Sequence, residues 1–328
     1  MPKHKVFVTR DIPACGVERL RECSDLDVVV HQSRLAVTTQ ELFDGVEGTS
    51  ALLCLLSDKV DETILKHGDK LRVVANYAVG YDNIDVKEAT ARGVWVTNTP
   101  GVLTDATADL AFTLLLAACR RLVEADRYTR DGKFVGWEPQ LLLGMDLSGA
   151  TLGILGMGRI GQALARRARG FGMKIIYHNR NRCTSDVEEK LGASYVEFDE
   201  LLRRSDVLSL HLPGGAETVH LIGKRELGMM KDGSVLINTA RGTVVDEGAL
   251  VEALKEGKLL GAGLDVFEEE PKLHPKLASL PNVTLAPHIG SATEGVRSKM
   301  ALMAAENILA VLDGRTPPNA VNKPAKKG

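Results

Sequence analysis

The sequence lacks the features that mark several large classes of protein. Its five cysteines are scattered singly, which argues against a disulfide framework or a zinc site. Aromatic residues make up only 4% of the chain, so its cores must be aliphatic. No apolar run approaches the ~20 residues that span a bilayer, and the first residues have no signal-peptide pattern. We therefore expect a metal-free cytoplasmic protein with reduced thiols.

A large net charge is also absent. The chain has 41 Lys and Arg against 43 Asp and Glu, a formal charge of −2 at pH 7. Such a balance offers no general electrostatic attraction to nucleic acid or to an anionic membrane, and we expect neither as a partner. An anionic small molecule would have to be held by local groups.

Strand patterns alternate with helix patterns along most of this long chain. Its 328 residues exceed the ~250–300 at which a single core stops growing, which indicates two domains. Apolar, often continuous strand patterns alternate with helical ones, which is typical of parallel sheets covered by helices on both faces. The predicted strands are 5–9, 51–55, 72–76, 94–97, 151–155, 174–178, 207–212, 234–238, 263–266 and 283–286. The predicted fold class is α/β, with two Rossmann-like or flavodoxin-like domains.

The position of a glycine fingerprint divides the chain. A long helix is predicted over 105–131, after the turn cluster at 98–101, whereas the fingerprint begins only at Gly156. We predict a discontinuous substrate-binding domain, 1–99 plus 291–328, and a dinucleotide-binding domain, 100–290. The final predicted helix, 292–312, should pack back onto the first domain, and residues 317–328 should be loose. The active site is expected in the cleft between the domains.

The segment 151–165 contains the pattern GxGxxG between an apolar strand and a helix. Gly156 permits a tight turn, Gly158 lets the backbone approach a pyrophosphate, and Gly161 lets helix and strand pack closely. The helix N-terminus presents free N–H groups and a partial positive charge to the phosphates. The intervening Met157, Arg159 and Ile160 are included in the predicted cofactor site.

The second strand of this unit ends in Asn179-Arg180-Asn181-Arg182. NAD-specific sites usually place a carboxylate here to bind the ribose 2′-hydroxyl. Asn179 replaces it, and guanidinium groups bind a 2′-phosphate that a carboxylate would repel. The sequence therefore favours NADP(H), with NAD(H) possible; the alternative is that the two arginines only form a solvated turn.

Three later segments each place a polar side chain directly beyond an apolar strand: Arg241, Glu270 and His288. Because the carboxyl ends of parallel strands meet at one edge, these side chains should converge. Arginine can bind a carboxylate and polarise a carbonyl, and histidine can deliver a proton to the forming alkoxide. A buried carboxylate beside the histidine would orient it. Taken singly, each residue also has a purely structural explanation.

The combined motifs resemble those of the D-isomer-specific 2-hydroxyacid dehydrogenases, most closely the glyoxylate/hydroxypyruvate reductases, over nearly the whole length. The matching segments are 76–85, 105–109, 156–161, 238–242, 263–271 and 287–291. The resemblance implies reduction of glyoxylate or hydroxypyruvate by NAD(P)H, with Arg241, Glu270 and His288 as the catalytic trio and His288 as proton donor. Glu270 is chosen among three consecutive glutamates because it lies five residues after Asp265.

The resemblance also implies other contacts. The cofactor would be touched by Thr107, Leu212, Pro213, Thr239, Ala240, Arg241, Asp265, His288, Ile289 and Gly290, in addition to the residues already named. The substrate would be touched by Leu56, by the backbone of Val79 and Gly80, and by Arg241 and His288. Trp137 resembles a tryptophan that a partner subunit inserts at the edge of the site, so a homodimer is expected.

Two alternatives remain open. The same machinery could act on phosphite, D-lactate, formate, 3-phosphoglycerate or another 2-keto acid; formate dehydrogenases usually replace the glutamate with glutamine, which Glu270 argues against. A protein of a different class, a nucleotide-sensing co-repressor of this fold, could keep the same trio without catalysis.

Overall fold

The computed structural model describes residues 3–33 and 35–324, and it divides the chain into two compact units. Unit 1 comprises the residues up to Leu103 and from Ala292 onward, and unit 2 comprises Thr104–Ser291. The roles predicted for the two domains, and their predicted boundaries at 99/100 and 290/291, stay predictions. In the described part of the chain, no helix is both long and apolar enough to cross a membrane.

Unit 1 contains a parallel sheet of five strands in the order β2-β1-β3-β4-β5. This is the flavodoxin-like order, in which the topology reverses between β1 and β3. Four of the strands were predicted to within one residue at each end. The strands are β1 (His4–Val8), β2 (Leu26–Val30), β3 (Ala51–Cys54), β4 (Val73–Asn76) and β5 (Trp95–Thr97).

Five helices accompany this sheet: α1 (Ala14–Arg21), α2 (Thr39–Val46), α3 (Glu62–His67), α4 (Val86–Ala91) and α12 (Glu294–Leu312). Helix α12 packs on α1 and β4, as predicted. It begins two residues later than expected because Thr293 caps it, accepting a hydrogen bond from the Val296 N–H. The expectation of a loose tail is wrong for 317–324, since Val321 N–H donates to the Val96 carbonyl; residues 325–328 lie outside the described residues.

Unit 2 contains a parallel sheet of seven strands in the order β12-β11-β10-β9-β6-β7-β8. This is a doubly wound Rossmann order, with its reversal between β6 and β9. Three strands were predicted without error, whereas β11 begins four residues earlier than expected. The strands are β6 (Thr151–Leu155), β7 (Lys174–His178), β8 (Ala193–Tyr195), β9 (Val207–Leu210), β10 (Ser234–Asn238), β11 (Leu259–Leu264) and β12 (Val283–Leu285).

The α-helices of unit 2 are α5 (Thr104–Cys119), α6 (Leu122–Arg130), α7 (Arg159–Gly170), α8 (Ser185–Leu191), α9 (Phe198–Arg204), α10 (Lys224–Met229) and α11 (Glu247–Lys255). Short 3₁₀ turns occur at Ala216–Thr218, Gly242–Val244 and Leu277–Ser279. The prediction of one helix over 105–131 is wrong. Arg121 adopts a left-handed backbone with φ 51°, which a continuing α-helix cannot contain, and it separates α5 from α6.

Aliphatic cores fill both faces of the seven-stranded sheet. On one face α5 and α7 bury side chains such as Leu115 and Leu164, and on the other α9 and α11 bury Leu201 and Leu250. The turns that follow the strands are thereby fixed at one edge of a rigid sheet.

Candidate active site

Six of the seven strands of unit 2 carry predicted site residues at or just beyond their carboxyl ends. The turn with Gly156, Gly158 and Gly161 follows β6, the turn 179–182 follows β7, and Leu212 and Pro213 follow β9. Thr239, Ala240 and Arg241 follow β10, Asp265 follows β11, and His288, Ile289 and Gly290 lie beyond β12. Neighbouring parallel strands therefore bring these groups to one edge of the sheet.

The glycine turn after β6 has the geometry expected of a phosphate cradle. Gly156 has φ 102°, and a Cβ there would lie 2.5 Å from the carbonyl oxygen of His211. A Cβ on Gly161 would collide with the Gly156 carbonyl. A Cβ on Gly158, by contrast, would meet nothing within 4 Å, so space lies open in front of the N-terminus of α7. Two glycines thus allow close packing, and the third leaves room for a ligand.

The turn after β7 shows how Asn179 and its neighbours are held. The Met157 N–H donates to Oδ1 of Asn179 at 2.6 Å, which ties this turn to the glycine turn. Arg180 is 84% exposed and pairs with the equally exposed Glu217 at 2.9 Å. Arg182 instead makes two hydrogen bonds of 2.8 Å to Glu188. Arg180 is therefore free to turn toward a ligand, whereas Arg182 is tied within the fold.

A buried polar atom without a partner supports ligand binding at this edge. The hydroxyl of Thr239 is shielded from solvent and has no hydrogen-bond partner among the described residues. A buried polar group that lacks a partner costs ~1–3 kcal/mol, and a bound ligand can supply the missing bond. Together with the open space at Gly158, this fits a dinucleotide lying along the strand ends.

The turn that carries Arg241 is shaped by the last residue of β10. Asn238 accepts a hydrogen bond from the Ala240 N–H at 3.0 Å and donates to the Arg241 carbonyl at 2.8 Å. The following Gly242 packs directly on the backbone of Phe267, where a Cβ would overlap the carbonyl carbon. Asn238 and Gly242 thus fix Arg241 next to the segment that leads to Glu270.

His288 and Glu270 form a hydrogen-bonded pair in the structure. Nδ1 of His288 lies 2.8 Å from Oε2 of Glu270, whose other oxygen accepts the Phe267 N–H at 3.0 Å. The expectation of a buried carboxylate is wrong, since the Glu270 side chain is 30% exposed on its loop beyond β11. Partial burial acts to raise the pKa of Glu270, but the hydrogen bond and charge of His288, the Phe267 N–H and the charge of Arg241 together outweigh it, so this pKa lies below its ordinary value.

Asp265 anchors the turn on which His288 sits. Its buried carboxylate accepts the N–H groups of Ile289 at 2.7 Å and Gly290 at 2.8 Å. These bonds hold His288 in a left-handed conformation with φ 54°, which is unusual for a residue other than glycine. Burial raises the pKa of Asp265, although the Ile289 N–H opposes that shift. The Thr107 side chain, in the first turn of α5, packs near this turn at Gly290.

The other predicted substrate contacts belong to unit 1. Leu56 follows β3 and is partly exposed, and Val79 and Gly80 follow β4, where the sheet's strand ends again face one edge. Trp137 belongs to a segment of unit 2 between α6 and β6 and is 85% exposed.

Several supporting residues were not found from the sequence. Glu217 and Glu247 are distant along the chain from their partners, Glu188 lies six residues from Arg182, and no motif marks any of the three; Glu247 accepts the Glu268 N–H at 2.9 Å. Asn238 did carry a signal, because an asparagine that ends a strand often bonds to the backbone two or three residues on.

Comparison with known proteins gives a consistent result. Residues 112–290 match the family model described as D-isomer specific 2-hydroxyacid dehydrogenase, NAD binding domain. The glyoxylate reductase of Thermococcus litoralis is 54% identical over 325 residues, which cover 98% of this chain and 97% of that protein.

Two solved structures are also similar to this chain over nearly its whole length. The crystal structure of a glyoxylate reductase from Paecilomyes thermophila is 37% identical with a TM-score of 0.86, covering 98% of this chain and 99% of its own. The NADPH-dependent glyoxylate/hydroxypyruvate reductase of Sinorhizobium meliloti, solved with NADP and malonate, is 36% identical with a TM-score of 0.85 and covers 97% of both chains.

Proposed function

This chain belongs to the D-isomer-specific 2-hydroxyacid dehydrogenase family and is an NAD(P)-dependent oxidoreductase; from that premise, we propose that it reduces glyoxylate and hydroxypyruvate to glycolate and D-glycerate. The observation that carries the proposal is the hydrogen-bonded pair of His288 and Glu270 beside the Arg241 turn. Relatives named as glyoxylate reductases favour these substrates over phosphite, D-lactate or a non-catalytic sensor.

The chain's own residues would hold the dinucleotide along the strand ends of unit 2. The open cradle at Gly158 would receive the pyrophosphate at the N-terminus of α7, and the unpartnered hydroxyl of Thr239 would donate or accept a hydrogen bond. When bound, the reduced nicotinamide supplies the hydride that reduces the keto carbon.

The remaining chemistry belongs to Arg241 and His288. The guanidinium would bind the substrate carboxylate and polarise the keto oxygen. Because Nδ1 of His288 is engaged by Glu270, Nε2 is the atom that delivers a proton as this oxygen becomes a hydroxyl. Glu270 keeps the ring in that orientation and stabilises its protonated form. One hydride and one proton thus convert the ketone to the alcohol.

The preferred cofactor in this proposal is NADPH. Arg180 is exposed at the end of β7 and is restrained only by a surface ion pair, so its guanidinium can move to a 2′-phosphate. No carboxylate occupies the Asn179 position to repel that group.

The proposal is tested by a substrate panel followed through loss of NADPH absorbance. Glyoxylate and hydroxypyruvate should be reduced, and phosphite and D-lactate should give no comparable reverse reaction. Since a positioned general acid contributes ~10²–10⁴-fold, His288→Ala should lower kcat by about that factor. His67→Ala, which removes a ring stacked on Phe43 in unit 1, is the matched control and should keep wild-type kcat. Wild-type kcat in His288→Ala would contradict the assignment.

A further inference from the structure

Two loops of unit 1 are joined by partly buried side-chain hydrogen bonds. The β3 loop, residues 55–60, carries Leu56, and the β4 loop, residues 77–83, carries Val79 and Gly80. Both loops follow neighbouring strands at the edge where ligands bind in a flavodoxin-like sheet. The connection between them runs through Asn76 and Asn83.

Three consecutive carbonyls of the β4 loop accept hydrogen bonds from residues at the end of β4 and just beyond the end of β5. The carbonyls of residues 78–80 accept, in order, the Thr99 N–H at 2.9 Å, Nδ2 of Asn98 at 2.7 Å and Nδ2 of Asn76 at 2.7 Å. In a planar trans peptide the N–H points opposite to the carbonyl. The N–H groups of residues 79–81 therefore point away from these donors, and none of them donates to another described residue. Such a row of free N–H groups suits a carboxylate.

The β3 loop is held by Asn83 and Asp58. Nδ2 of Asn83 donates to the carbonyls of Leu55 at 3.1 Å and Asp58 at 3.0 Å, on either side of Leu56. The buried carboxylate of Asp58 accepts the Leu55 N–H at 2.7 Å and the Thr9 hydroxyl at 2.5 Å. The backbone on both sides of Leu56 is thereby fixed.

Asn76 closes the connection. Its Nδ2 also donates to Oδ1 of Asn83 at 3.2 Å, so both hydrogens of this amide are used, one on each neighbour. The residue is 1% exposed, where an unmade hydrogen bond is costly. The amides of the β4 loop and the side chain of Leu56 are consequently kept at a set separation.

We propose that Asn76 and Asn83 are positioning residues that set the length of 2-keto acid accepted, by fixing Leu56 relative to the carboxylate-binding amides. The proposal rests on the proposed function and on the substrate contacts that the family resemblance implies for Leu56, Val79 and Gly80, which lie on these two loops. With the carboxylate held on the amides, Leu56 limits the room left for the substituent on the keto carbon. A short substituent fits, and a longer one is excluded as long as the two loops remain linked.

The variant that tests this link is Asn83→Ala, with Asn322→Ala as the matched control. Asn322 also lies in unit 1 and makes comparable amide hydrogen bonds, to Thr90, Val94 and Val96, away from both loops. Asn83→Ala should raise KM for glyoxylate about 5–10-fold, the loss expected for one to two hydrogen bonds, with an unchanged Kd for NADPH. The preference for glyoxylate over 2-oxobutyrate in kcat/KM should fall about tenfold. Asn322→Ala should lower Tm similarly but keep KM and this preference.

Asn76→Asp, which keeps the shape of the side chain but removes its donors, should affect KM and preference in the same direction. The inference is overturned if Asn83→Ala lowers Tm like Asn322→Ala while KM and the glyoxylate preference stay at wild-type values. If the wild-type protein reduces no 2-keto acid, the proposed function fails instead. Calorimetry with oxamate then tests the inference by itself. The inference requires that oxamate binds to the wild type and that Asn83→Ala weakens this binding. The absence of oxamate binding to the wild type would contradict the inference.

Discussion

At the scale of single residues, the hydrogen-bonded pair of His288 and Glu270 predicts a change in pH dependence. Glu270→Gln removes the negative charge beside Nδ1 of His288, and with it the stabilisation of the protonated ring on which proton delivery depends. Because reduction needs the protonated ring, the basic limb of the kcat/KM profile should move to lower pH, with a loss of activity at pH 7 of about tenfold or more. If the basic limb of the measured pH profile of kcat/KM is unchanged in Glu270→Gln, the role given to Glu270 is contradicted.

The same pair affects stability in acid. The pKa of Glu270 is lowered in the fold, so the stabilisation from its charge is complete above the ordinary glutamate pKa of ~4.3 and is lost as the pH falls through the lowered value. In Glu270→Gln this part of the acid destabilisation should be missing. The free energy of unfolding, measured in urea from pH 6 to pH 3, should therefore fall less steeply than in the wild type.

Cofactor choice depends on Arg180 and on the glutamate that pairs with it. Arg180→Ala should weaken NADPH binding about tenfold and leave NADH binding unchanged, because only NADPH carries the 2′-phosphate. Glu217→Gln should strengthen NADPH binding about 2–5-fold, since it removes both a competitor for Arg180 and a repulsive charge. Titration of nicotinamide fluorescence measures each Kd.

The control for this prediction is Arg182→Ala. Arg182 is bound to Glu188, so Arg182→Ala should lower Tm. It should change the ratio of the dissociation constants for NADPH and NADH only slightly. Equal losses for NADPH and NADH in Arg180→Ala, or a wild-type preference for NADH, would contradict the interpretation of this turn.

At the scale of helices and strands, close packing of α1 on α12 predicts sensitivity at Gly16. A Cβ on this residue would lie 2.7 Å from the Cβ of Ala301 and 2.9 Å from its backbone. Gly16→Val should force the helices apart and lower the free energy of unfolding by ~1–3 kcal/mol. Gly295→Val, on α12 where a Cβ would meet nothing within 4 Å, is the control and should cost less. Urea denaturation of both variants measures the difference, and equal losses would contradict the close contact.

The sequence predicted those elements whose pattern is local and strong. Strands such as β6 and β10 are almost wholly buried and have apolar centres because both faces of the sheet are covered, and their bounds were predicted without error. Strands β2 and β8 were missed because they lie at sheet edges, are partly exposed and show no long apolar run. The break at Arg121 was missed because arginine gives no sign of a left-handed backbone.

The residues of the candidate site also divide into those that a local sequence pattern could locate and those that it could not. The strand-end groups Arg241 and His288 could be located because their strands are recognisable and parallel strand ends converge. The residues that support them, such as Glu217 for Arg180 and Asn83 for Leu56, depend on contacts between distant parts of the chain. Spacing along the sequence contains no signal for such pairs.

At the scale of the whole molecule, the segment 132–144 predicts assembly into a homodimer, which the resemblance also implies. Val135 is 88% exposed and Trp137 85%, with Phe134 and Leu143 exposed beside them in sequence. An apolar cluster of this kind on a surface is more typical of an interface than of a monomer. We propose a two-fold dimer in which this segment contacts the neighbouring subunit.

Sedimentation velocity tests this proposal. Replacing both Val135 and Trp137 with Lys should shift the protein toward monomer at micromolar concentration and raise KM, because Trp137 is proposed to reach the partner's substrate site. Leu35→Lys, which changes an exposed apolar residue in unit 1, should leave the assembly unchanged. A fully active wild-type monomer at assay concentrations would contradict the prediction.

The discontinuity of unit 1 has a consequence for the order in which the protein forms on the ribosome. Helix α12 covers α1 and β4, but it is translated only after all of unit 2 has been made. Unit 2 is continuous and can complete its core during synthesis, whereas the first hundred residues must wait for residues 294–312. Until then, the apolar surface of β4 that α12 will cover is accessible to chaperones and proteases. The amino-terminal part of this chain, although made first, is therefore the last to complete its fold.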